Sequence, residues 1–255
     1  MSHVSPTAVA YLDLDATLLG PGGSLFRGAD GPSDAAARAL ALLHEAGVPV
    51  VLVSGRSRSR LEAIGRVLGV AGVLPELGAL DVDYPTAPGQ TIFDAIAETG
   101  IVDELLAREP DLEVHPLAPD REGGHVFRGR VGPEADVFVR APSGGALTLA
   151  DNGQAGQPGT WVYHLMPAGA SKAAAVKRDI ARRGADPAAC LAVGDSPQDL
   201  GIAEVVGRMA LVANGSAVPE APEGVLVTEG AYGEGVLEAV RTWLAAAPGV
   251  RSEAA

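Results

Sequence analysis

Short apolar segments alternate with helical patterns in the first third of the chain, and this alternation limits the possible folds more than any other feature. The segments AVAYLDLD, from residue 8, and VPVVLVSG, from residue 48, are apolar up to their last residues. Between them lies a helical pattern, PSDAAARALALLHEAG, with Ser33 or Asp34 as its expected N-cap and Gly47 at its end. The order β-α-β-α-β predicts a parallel sheet with helices on both faces.

The pattern changes near residue 84 and returns after residue 166. Residues 84–110 contain a Pro/Gly-rich junction and one predicted helix, IFDAIAETGIVDELLARE. Residues 111–166 are expected to form short strands, because polar and apolar residues alternate in LEVHPLA, HVFRGRV, ADVFVRA, ALTLAD and TWVYHLM. We therefore expect an α/β protein whose Rossmann-like core, residues 1–83 and 167–255, is interrupted by an α+β cap domain, residues 84–166.

Composition excludes several classes of partner. The formal net charge of −13 argues against nucleic acid as a partner. No apolar run reaches the roughly 18 residues that a membrane span needs, and the N-terminal segment lacks a signal-peptide pattern. The single cysteine, Cys190, forms no internal disulfide, which is typical of a reducing compartment. We expect a cytoplasmic monomer or homodimer.

Polar residues stand where the predicted parallel strands end. Asp13 and Asp15 follow the first strand, Ser54 follows the second, and Asp195 follows a later one, CLAVGDS. Lys172 begins the helix after the insert. Each residue alone is typical of a turn or a helix cap, but ligands bind beyond the carboxyl ends of strands in open parallel sheets. The coincidence favours a functional site.

The residue types at these positions suit phosphoryl transfer. Crowded carboxylates raise one another's pKa unless a cation compensates, and hard oxygen ligands suit Mg²⁺. A magnesium ion, Lys172 and the Ser54 hydroxyl would together neutralise and position a phosphoryl group. One of Asp13 and Asp15 could then attack phosphorus, and the other could protonate the leaving alkoxide and later deprotonate water.

Four segments resemble the motifs of the haloacid dehalogenase superfamily of phosphatases. They are DLDATLL, similar to D-x-D-x-T, then VLVSGR, the lysine of GASKAAAVK, and VGDSPQDLGIAEVVG, similar to G-D-S-x-x-D. A further segment, PELGAL, resembles one found in the type IIB-capped, sugar-phosphatase-like branch, which includes mannosyl-phosphoglycerate and sucrose phosphatases. That branch carries its cap between the second and third motifs, where the insert lies here.

The resemblance implies a role for each matching residue. It makes Asp13 the nucleophile and Asp15 the general acid and base. Ser54, Gly55 and Lys172 would bind the phosphoryl group. The implied function is Mg²⁺-dependent hydrolysis of a sugar phosphate or related small phosphorylated metabolite through an aspartyl-phosphate intermediate.

The resemblance also implies a magnesium site. Its ligands would be four aspartates: Asp13, Asp15, Asp195 and Asp199. Asp15 would contribute its backbone carbonyl, and Asp199 would act directly or through water. Two positions depart from the pattern, since Ala16 stands where glycine is common and Gln198 where asparagine is common.

A basic stretch of the insert is the candidate for substrate selection. HPLAPDREGGHVFRGRVG contains two histidines and three arginines, and His125, Arg128 and Arg130 lie in one predicted strand. The two arginines share a strand face and could receive a second anionic group of the substrate. The alternative is that these arginines pair with acids of the insert such as Glu122 and Glu134.

Other functions use similar residues. A phosphomutase would use the same set but return the phosphoryl group to the substrate. A phosphate-binding or phosphoryl-relay protein would lack turnover. A serine hydrolase based on Ser196 has little support, because GDSPQ lacks the last glycine of G-x-S-x-G.

Overall fold

The secondary structure alternates strands and helices in the order expected of an α/β protein. The computed structural model describes residues 8–154 and 159–246. Within these ranges the strands are β1 (Ala10–Asp13), β2 (Arg27–Gly28), β3 (Gly31–Pro32), β4 (Val50–Val53), β5 (Gly72–Leu74), β6 (Leu112–Val114), β7 (His125–Gly129), β8 (Leu147–Gln154), β9 (Trp161–Pro167), β10 (Leu191–Gly194), β11 (Arg208–Leu211) and β12 (Leu226–Val227). The helices are α1 (Ala35–Glu45), α2 (Arg58–Leu68), α3 (Ile92–Glu98), α4 (Ile101–Arg108), α5 (Ala135–Arg140), α6 (Lys172–Arg183), α7 (Pro197–Leu200) and α8 (Tyr232–Ala246).

The chain divides into two compact units. The first comprises Met1–Ser54, Glu62–Leu74 and Lys172–Ala255, and the second comprises Gly55–Leu61 and Pro75–Ser171. The second unit therefore includes two segments that precede the predicted insert, residues 55–61 and 75–83, and one that follows it, residues 167–171. The domain limits at residues 84 and 166 stay a prediction.

A six-stranded sheet forms the centre of the first unit. Its order is β12-β11-β10-β1-β4-β5, and every neighbouring pair is parallel. This confirms the predicted parallel sheet. The strands β1, β4 and β10 are buried along their whole length, as expected where helices cover both faces. Because β1 lies between β4 and β10, the residues that follow these three parallel strands lie close together beyond the carboxyl ends of the strands.

A four-stranded antiparallel sheet, in the order β6-β7-β9-β8, organises the second unit. Side chains on one face of this sheet, including Phe127 and Leu165, form a hydrophobic core with Ile96, Leu105 and Val139 of the neighbouring helices. The opposite face carries the alternate residues of β7 and β9.

Two details of the insert differ from the sequence prediction. The segment ADVFVRA, predicted as a strand, contains helix α5, in which Ala135 and Val139 are buried four residues apart while Val137 is exposed. Asp136 stabilises this arrangement by accepting hydrogen bonds from the Leu149 amide and the Thr148 hydroxyl. The single predicted helix of residues 92–109 is two helices, since Gly100 adopts a left-handed conformation (φ 78°) between them.

Among the described residues, no helix is both long enough and apolar enough to span a membrane.

Candidate active site

A buried lysine contacts two carboxylates at the carboxyl ends of the strands in the first unit's sheet. Asp13 is the last residue of β1, and its side chain is 5% exposed. Lys172 begins α6, and its Nζ lies 2.6 Å from Asp13 Oδ1 and 2.8 Å from Asp199 Oδ1. The three residues lie far apart in sequence, so this contact depends on the fold of the parallel sheet. It places one positive charge between two negative ones.

Burial perturbs both partners of this ion pair. It raises the pKa of Asp13 well above the ordinary value, an effect that Lys172 opposes and that the negative charges of Asp199 and Asp195 reinforce. Burial would lower the pKa of Lys172, but its ion pairs and hydrogen bonds with Asp13 and Asp199 outweigh this and raise it. Lys172 is therefore protonated at neutral pH and favours the ionised form of Asp13.

Asp195 follows β10 and faces the same cluster. Its Oδ1 accepts a hydrogen bond from the buried Thr17 hydroxyl at 3.1 Å. Burial, followed by the charge of Asp199, raises the pKa of Asp195 to about 6. Thr17 thus acts on the orientation of this carboxylate.

Asp199 is fully buried and supports the turn after β10. Its Oδ2 accepts hydrogen bonds from the backbone amide of Ser196 at 3.1 Å and from the Ser196 hydroxyl. A Cβ at Gly194 would lie 2.3 Å from Asp199 Cγ, so only glycine fits there. The Ser196 hydroxyl therefore donates its hydrogen bond to Asp199. This contact does not support the alternative in which Ser196 is the nucleophile of a serine hydrolase.

The donor set fits a divalent metal ion. One carboxylate oxygen from each of Asp13, Asp195 and Asp199 lies within 4.8 Å of the others. Among the described residues, the buried Oδ2 of Asp13 has no hydrogen-bond partner. Three carboxylates face one lysine ammonium, which leaves net negative charge in a buried place. An orphaned oxygen and uncompensated charge are what a hard cation with oxygen ligands would satisfy.

Asp15 is placed differently from Asp13. Its side chain is exposed, and its carboxylate does not belong to the group of three found among the described residues. The next residue, Ala16, adopts a left-handed conformation with φ 61°, which glycine adopts more readily than alanine. The chain turns sharply here, which separates the environments of the two aspartates.

Ser54 and Gly55 follow β4. The buried Ser54 donates its backbone N–H to Leu74 O at 3.0 Å, which aligns it with β5. The carbonyl oxygen of Gly55 accepts a hydrogen bond from Arg121 Nη2 at 2.7 Å. A Cβ on Gly55 would meet Asn152 Nδ2 at 3.4 Å. Residues of the second unit therefore pack closely around Gly55.

The three basic candidates of the insert each have a partner within the second unit. His125 is buried, stacks on Phe93 at 3.9 Å between ring centroids and bonds through Nε2 to Phe93 O. Arg128 forms an ion pair with Glu113 at 2.6 Å. The acid is therefore Glu113, and not one of the two acids considered from the sequence.

Arg130 has a different environment from Arg128. It is exposed, and its guanidinium lies 5.6 Å from the centre of the Trp161 ring. A cation over an aromatic face is held weakly at an exposed position. A role for Arg130 in binding substrate stays a prediction.

A buried polar cluster in the second unit has no assigned role in the sequence prediction. It consists of Glu76, Arg121 and His164, each less than 10% exposed. The segment PELGAL contains Glu76, and Arg121 belongs to the basic stretch, but nothing in their spacing shows that they meet. Glu76, Leu77 and Gly78 are left-handed in succession, with φ of 53°, 55° and 80°. Such backbone costs about 1–3 kcal/mol for each non-glycine residue and persists where surrounding contacts hold it.

Comparisons with known proteins agree with the geometry. A family model described as haloacid dehalogenase-like hydrolase matches residues 148–226. A phosphoglycolate phosphatase from Pyrobaculum aerophilum is 30% identical over 242 residues, which cover 91% of this chain and 93% of that protein. A crystal structure from Thermoplasma acidophilum has a TM-score of 0.67 at 19% identity and covers 94% of this chain and 99% of its own.

A sucrose-phosphatase structure from Synechocystis, in complex with sucrose and phosphate, also has a TM-score of 0.67. Its identity is 15%, and the match covers 93% of this chain and 98% of that chain. The two structures show likeness of fold, and the Pyrobaculum relative extends the likeness to sequence over nearly the whole chain. The chain therefore belongs to the haloacid dehalogenase superfamily, and it is a phosphatase of that superfamily.

Proposed function

We propose that the protein hydrolyses a small phosphomonoester with Mg²⁺ as cofactor, through an aspartyl-phosphate formed on Asp13. The observation that carries the proposal is the environment of this carboxylate. Lys172 holds Oδ1 at 2.6 Å, while the buried Oδ2 has no hydrogen-bond partner among the described residues. Lys172 thus fixes one oxygen, while no donor in the described part of the chain engages the other, which can face a metal ion or a phosphoryl group.

Asp13 is suited to attack phosphorus. Lys172 favours its ionised form against the cost of burial, and in that form Oδ2 offers a lone pair for a new O–P bond. As that bond forms, the bond from phosphorus to the leaving oxygen breaks, and Asp15 donates a proton to that oxygen. Asp15 is exposed, so it can exchange protons with solvent.

The second step reverses the roles. Asp15 takes a proton from a water molecule whose oxygen attacks the phosphorus of the aspartyl-phosphate. Inorganic phosphate leaves, and the Asp13 carboxylate is regenerated. Ser54, Gly55 and Lys172 are the residues that we assign to holding the phosphoryl group in both steps.

Asp13, Asp195 and Asp199, with the backbone carbonyl of Asp15, would hold the metal ion. When bound, Mg²⁺ supplies positive charge that favours the phosphoryl group in the transition state. Thr17 orients Asp195 through its hydroxyl, and Ser196 holds Asp199 through its backbone amide. These contacts keep the carboxylates in place without the ion.

We assign the substrate to the class of sugar phosphates and related small phosphorylated metabolites. The name of the Pyrobaculum relative, phosphoglycolate phosphatase, supports a phosphomonoester that also carries a carboxylate. Arg128 and Arg130 are the proposed contacts for such a second anionic group. A cytoplasmic location and a monomeric or homodimeric state remain part of this proposal.

The test is a screen of phosphomonoesters, with phosphoglycolate and hexose phosphates included, in the presence and absence of Mg²⁺. Asp13→Asn is the inactive variant, and Asp34→Asn, an exposed aspartate beside Arg38, is the matched control. Release of free phosphate that needs both Mg²⁺ and Asp13 supports the proposal. Full activity in Asp13→Asn would rule out Asp13 as the nucleophile. Isomerised product without free phosphate would favour a phosphomutase.

A further inference from the structure

We propose that Glu76 and Arg121 are positioning residues that fix the backbone of Gly55 and Arg56, the segment directly after Ser54. The inference rests on the proposed function, because it matters for catalysis only if this segment helps to bind the phosphoryl group. Neither residue is assigned contact with the substrate. Both act through the peptide groups that they hold.

Glu76 holds the segment from one side. Its backbone N–H donates to Arg56 O at 2.9 Å, and its Oε1 accepts from the Arg58 amide at 3.4 Å. The left-handed conformation of Glu76 and Leu77 turns the chain so that backbone and side chain of one residue reach the same segment. The strained turn therefore lets Glu76 hold the segment after Ser54 through two hydrogen bonds.

The Glu76 carboxylate also fixes the chain next to Arg121. Its two oxygens accept hydrogen bonds from the Glu122 amide at 3.2 and 3.3 Å, and Oε2 accepts one from the Gly123 amide at 2.8 Å. The carboxylate is 1% exposed, so these backbone donors stabilise a charge that water does not reach. Glu76 thereby ties the segment that carries Arg121 to the segment after Ser54.

Arg121 completes the arrangement. Its guanidinium is buried, lies 3.7 Å from Glu76 Oε2 through Nε, and donates from Nη2 to Gly55 O at 2.7 Å. The same Nη2 lies 3.0 Å from His164 Nδ1. Because arginine only donates, Nδ1 of His164 must accept, which makes this ring neutral with its proton on Nε2.

The contacts determine where the amide groups of the segment point. In a trans peptide the N–H is directed opposite to the C=O. With Gly55 O turned to Arg121 and Arg56 O turned to Glu76, the N–H groups of Arg56 and Ser57 are directed away from these two residues. Glycine at position 55 has wide conformational freedom, so an external hold on its carbonyl is what selects one orientation.

Oriented amides matter for binding an anion. Backbone N–H groups stabilise a phosphoryl group only when they are preorganised toward it, since reorientation during the reaction would cost part of the gain. Displacements near 1 Å at a positioning residue reduce rates by up to about a hundred-fold. A loosened segment should therefore weaken both phosphate binding and turnover.

The experiment compares Arg121→Gln, Arg121→Lys and Glu76→Gln with two controls. Arg60→Gln removes an exposed arginine that pairs with Asp120, and Leu105→Ala destabilises the hydrophobic core of the second unit. The measurements are the affinity for inorganic phosphate with Mg²⁺ present, kcat and KM, and amide hydrogen exchange at Gly55, Arg56 and Ser57.

We expect Arg121→Gln to weaken phosphate affinity and kcat/KM by about ten-fold or more and to speed exchange at these amides. Lysine lacks the planar fork of arginine, so Arg121→Lys should fall between glutamine and the native residue. Both controls should keep phosphate affinity within about two-fold. Unchanged affinity and exchange in folded Arg121→Gln would overturn the inference, as would an equal loss in Leu105→Ala.

If Arg121→Gln does not fold, Arg121→Lys and Glu76→Gln test the inference by the same criteria. A different outcome separates the inference from the proposed function. If the native protein neither binds phosphate nor hydrolyses esters, the proposed function fails. Amide exchange still decides whether Arg121 and Glu76 hold the segment.

Discussion

The side-chain amide of Asn214 donates a hydrogen bond to the carbonyl oxygen of Ala16 at 2.8 Å. Its Oδ1 accepts a second hydrogen bond from the backbone N–H of Tyr232 at 2.7 Å. Ala16 and Tyr232 both have positive φ, 61° and 52°. One side chain of the first unit therefore supports two left-handed turns, and one of these turns carries Asp13 and Asp15.

Asn214→Ala should lower the free energy of unfolding by about 1–2 kcal/mol, because two hydrogen bonds to backbone groups are lost. Asn214→Asp is the matched variant, since it keeps the acceptor for Tyr232 and removes the donor to Ala16. We expect it to lose at least as much, because a carboxylate oxygen would then face the Ala16 carbonyl oxygen. Urea denaturation at neutral pH measures both, and a stability of Asn214→Ala equal to the native value would contradict the role of the amide.

Ala16→Gly should leave the free energy of unfolding unchanged or raise it by up to about 1.5 kcal/mol. Glycine removes the left-handed penalty of about 1–2 kcal/mol, and its greater freedom in the unfolded chain offsets about 0.5–1 kcal/mol of that gain. Ala16→Val should be destabilising, because a β-branched residue tolerates this φ poorly. Thermal unfolding of the pair checks the sign. A valine variant as stable as the glycine variant would show that the turn is relaxed.

Asp195→Asn should weaken Mg²⁺ binding by about ten-fold or more, because an anionic oxygen ligand is replaced by a neutral one. The readout is the rise in Tm on addition of Mg²⁺, which mass action ties to affinity. Asp34→Asn, far from the carboxylate group in sequence and exposed, is the control. If Mg²⁺ raises the Tm of both variants equally, Asp195 is not a ligand.

The unfolding free energy should fall on acidification in a manner that depends on His125. Burial lowers the pKa of His125 below its ordinary value of 6.5, an effect that the hydrogen bond to Phe93 and the charge of Asp94 oppose. The folded state thus binds fewer protons than the unfolded state, so the stability present at pH 7.5 is lost as pH drops below about 6.5.

His125→Phe keeps a ring beside Phe93 and removes the titration. Its unfolding free energy should change less between pH 7.5 and pH 5 than that of the native protein, as measured by urea denaturation at several pH values. Parallel pH profiles for the two proteins would show that another group causes the acid sensitivity.

The sequence predicts the parallel sheet because its strands are continuous apolar runs, and it places Asp13, Ser54 and Asp195 at one edge because parallel strands end together. The sequence does not predict helix α5. Polar and apolar residues alternate in this segment as they do in a strand, yet the spacing of Ala135 and Val139 also fits a helix, and packing decides between strand and helix.

The pairing of Glu76 with Arg121 is beyond any local pattern. It depends on a left-handed turn at two residues that are not glycine, and on a contact between segments that are distant in sequence. Propensity disfavours such a turn at Glu76, so only the surrounding hydrogen bonds explain it.

The makeup of the second unit has a consequence for building chimaeras with relatives. A transplant limited to residues 84–166 would carry Arg121 and His164 but leave behind Glu76 and Gly55–Leu61, which belong to the same unit. The donor's residue at the place of Arg121 would then face a foreign glutamate and a foreign glycine carbonyl. A chimaera that keeps these contacts must therefore move residues 55–61, 75–83 and 167–171 together with the insert.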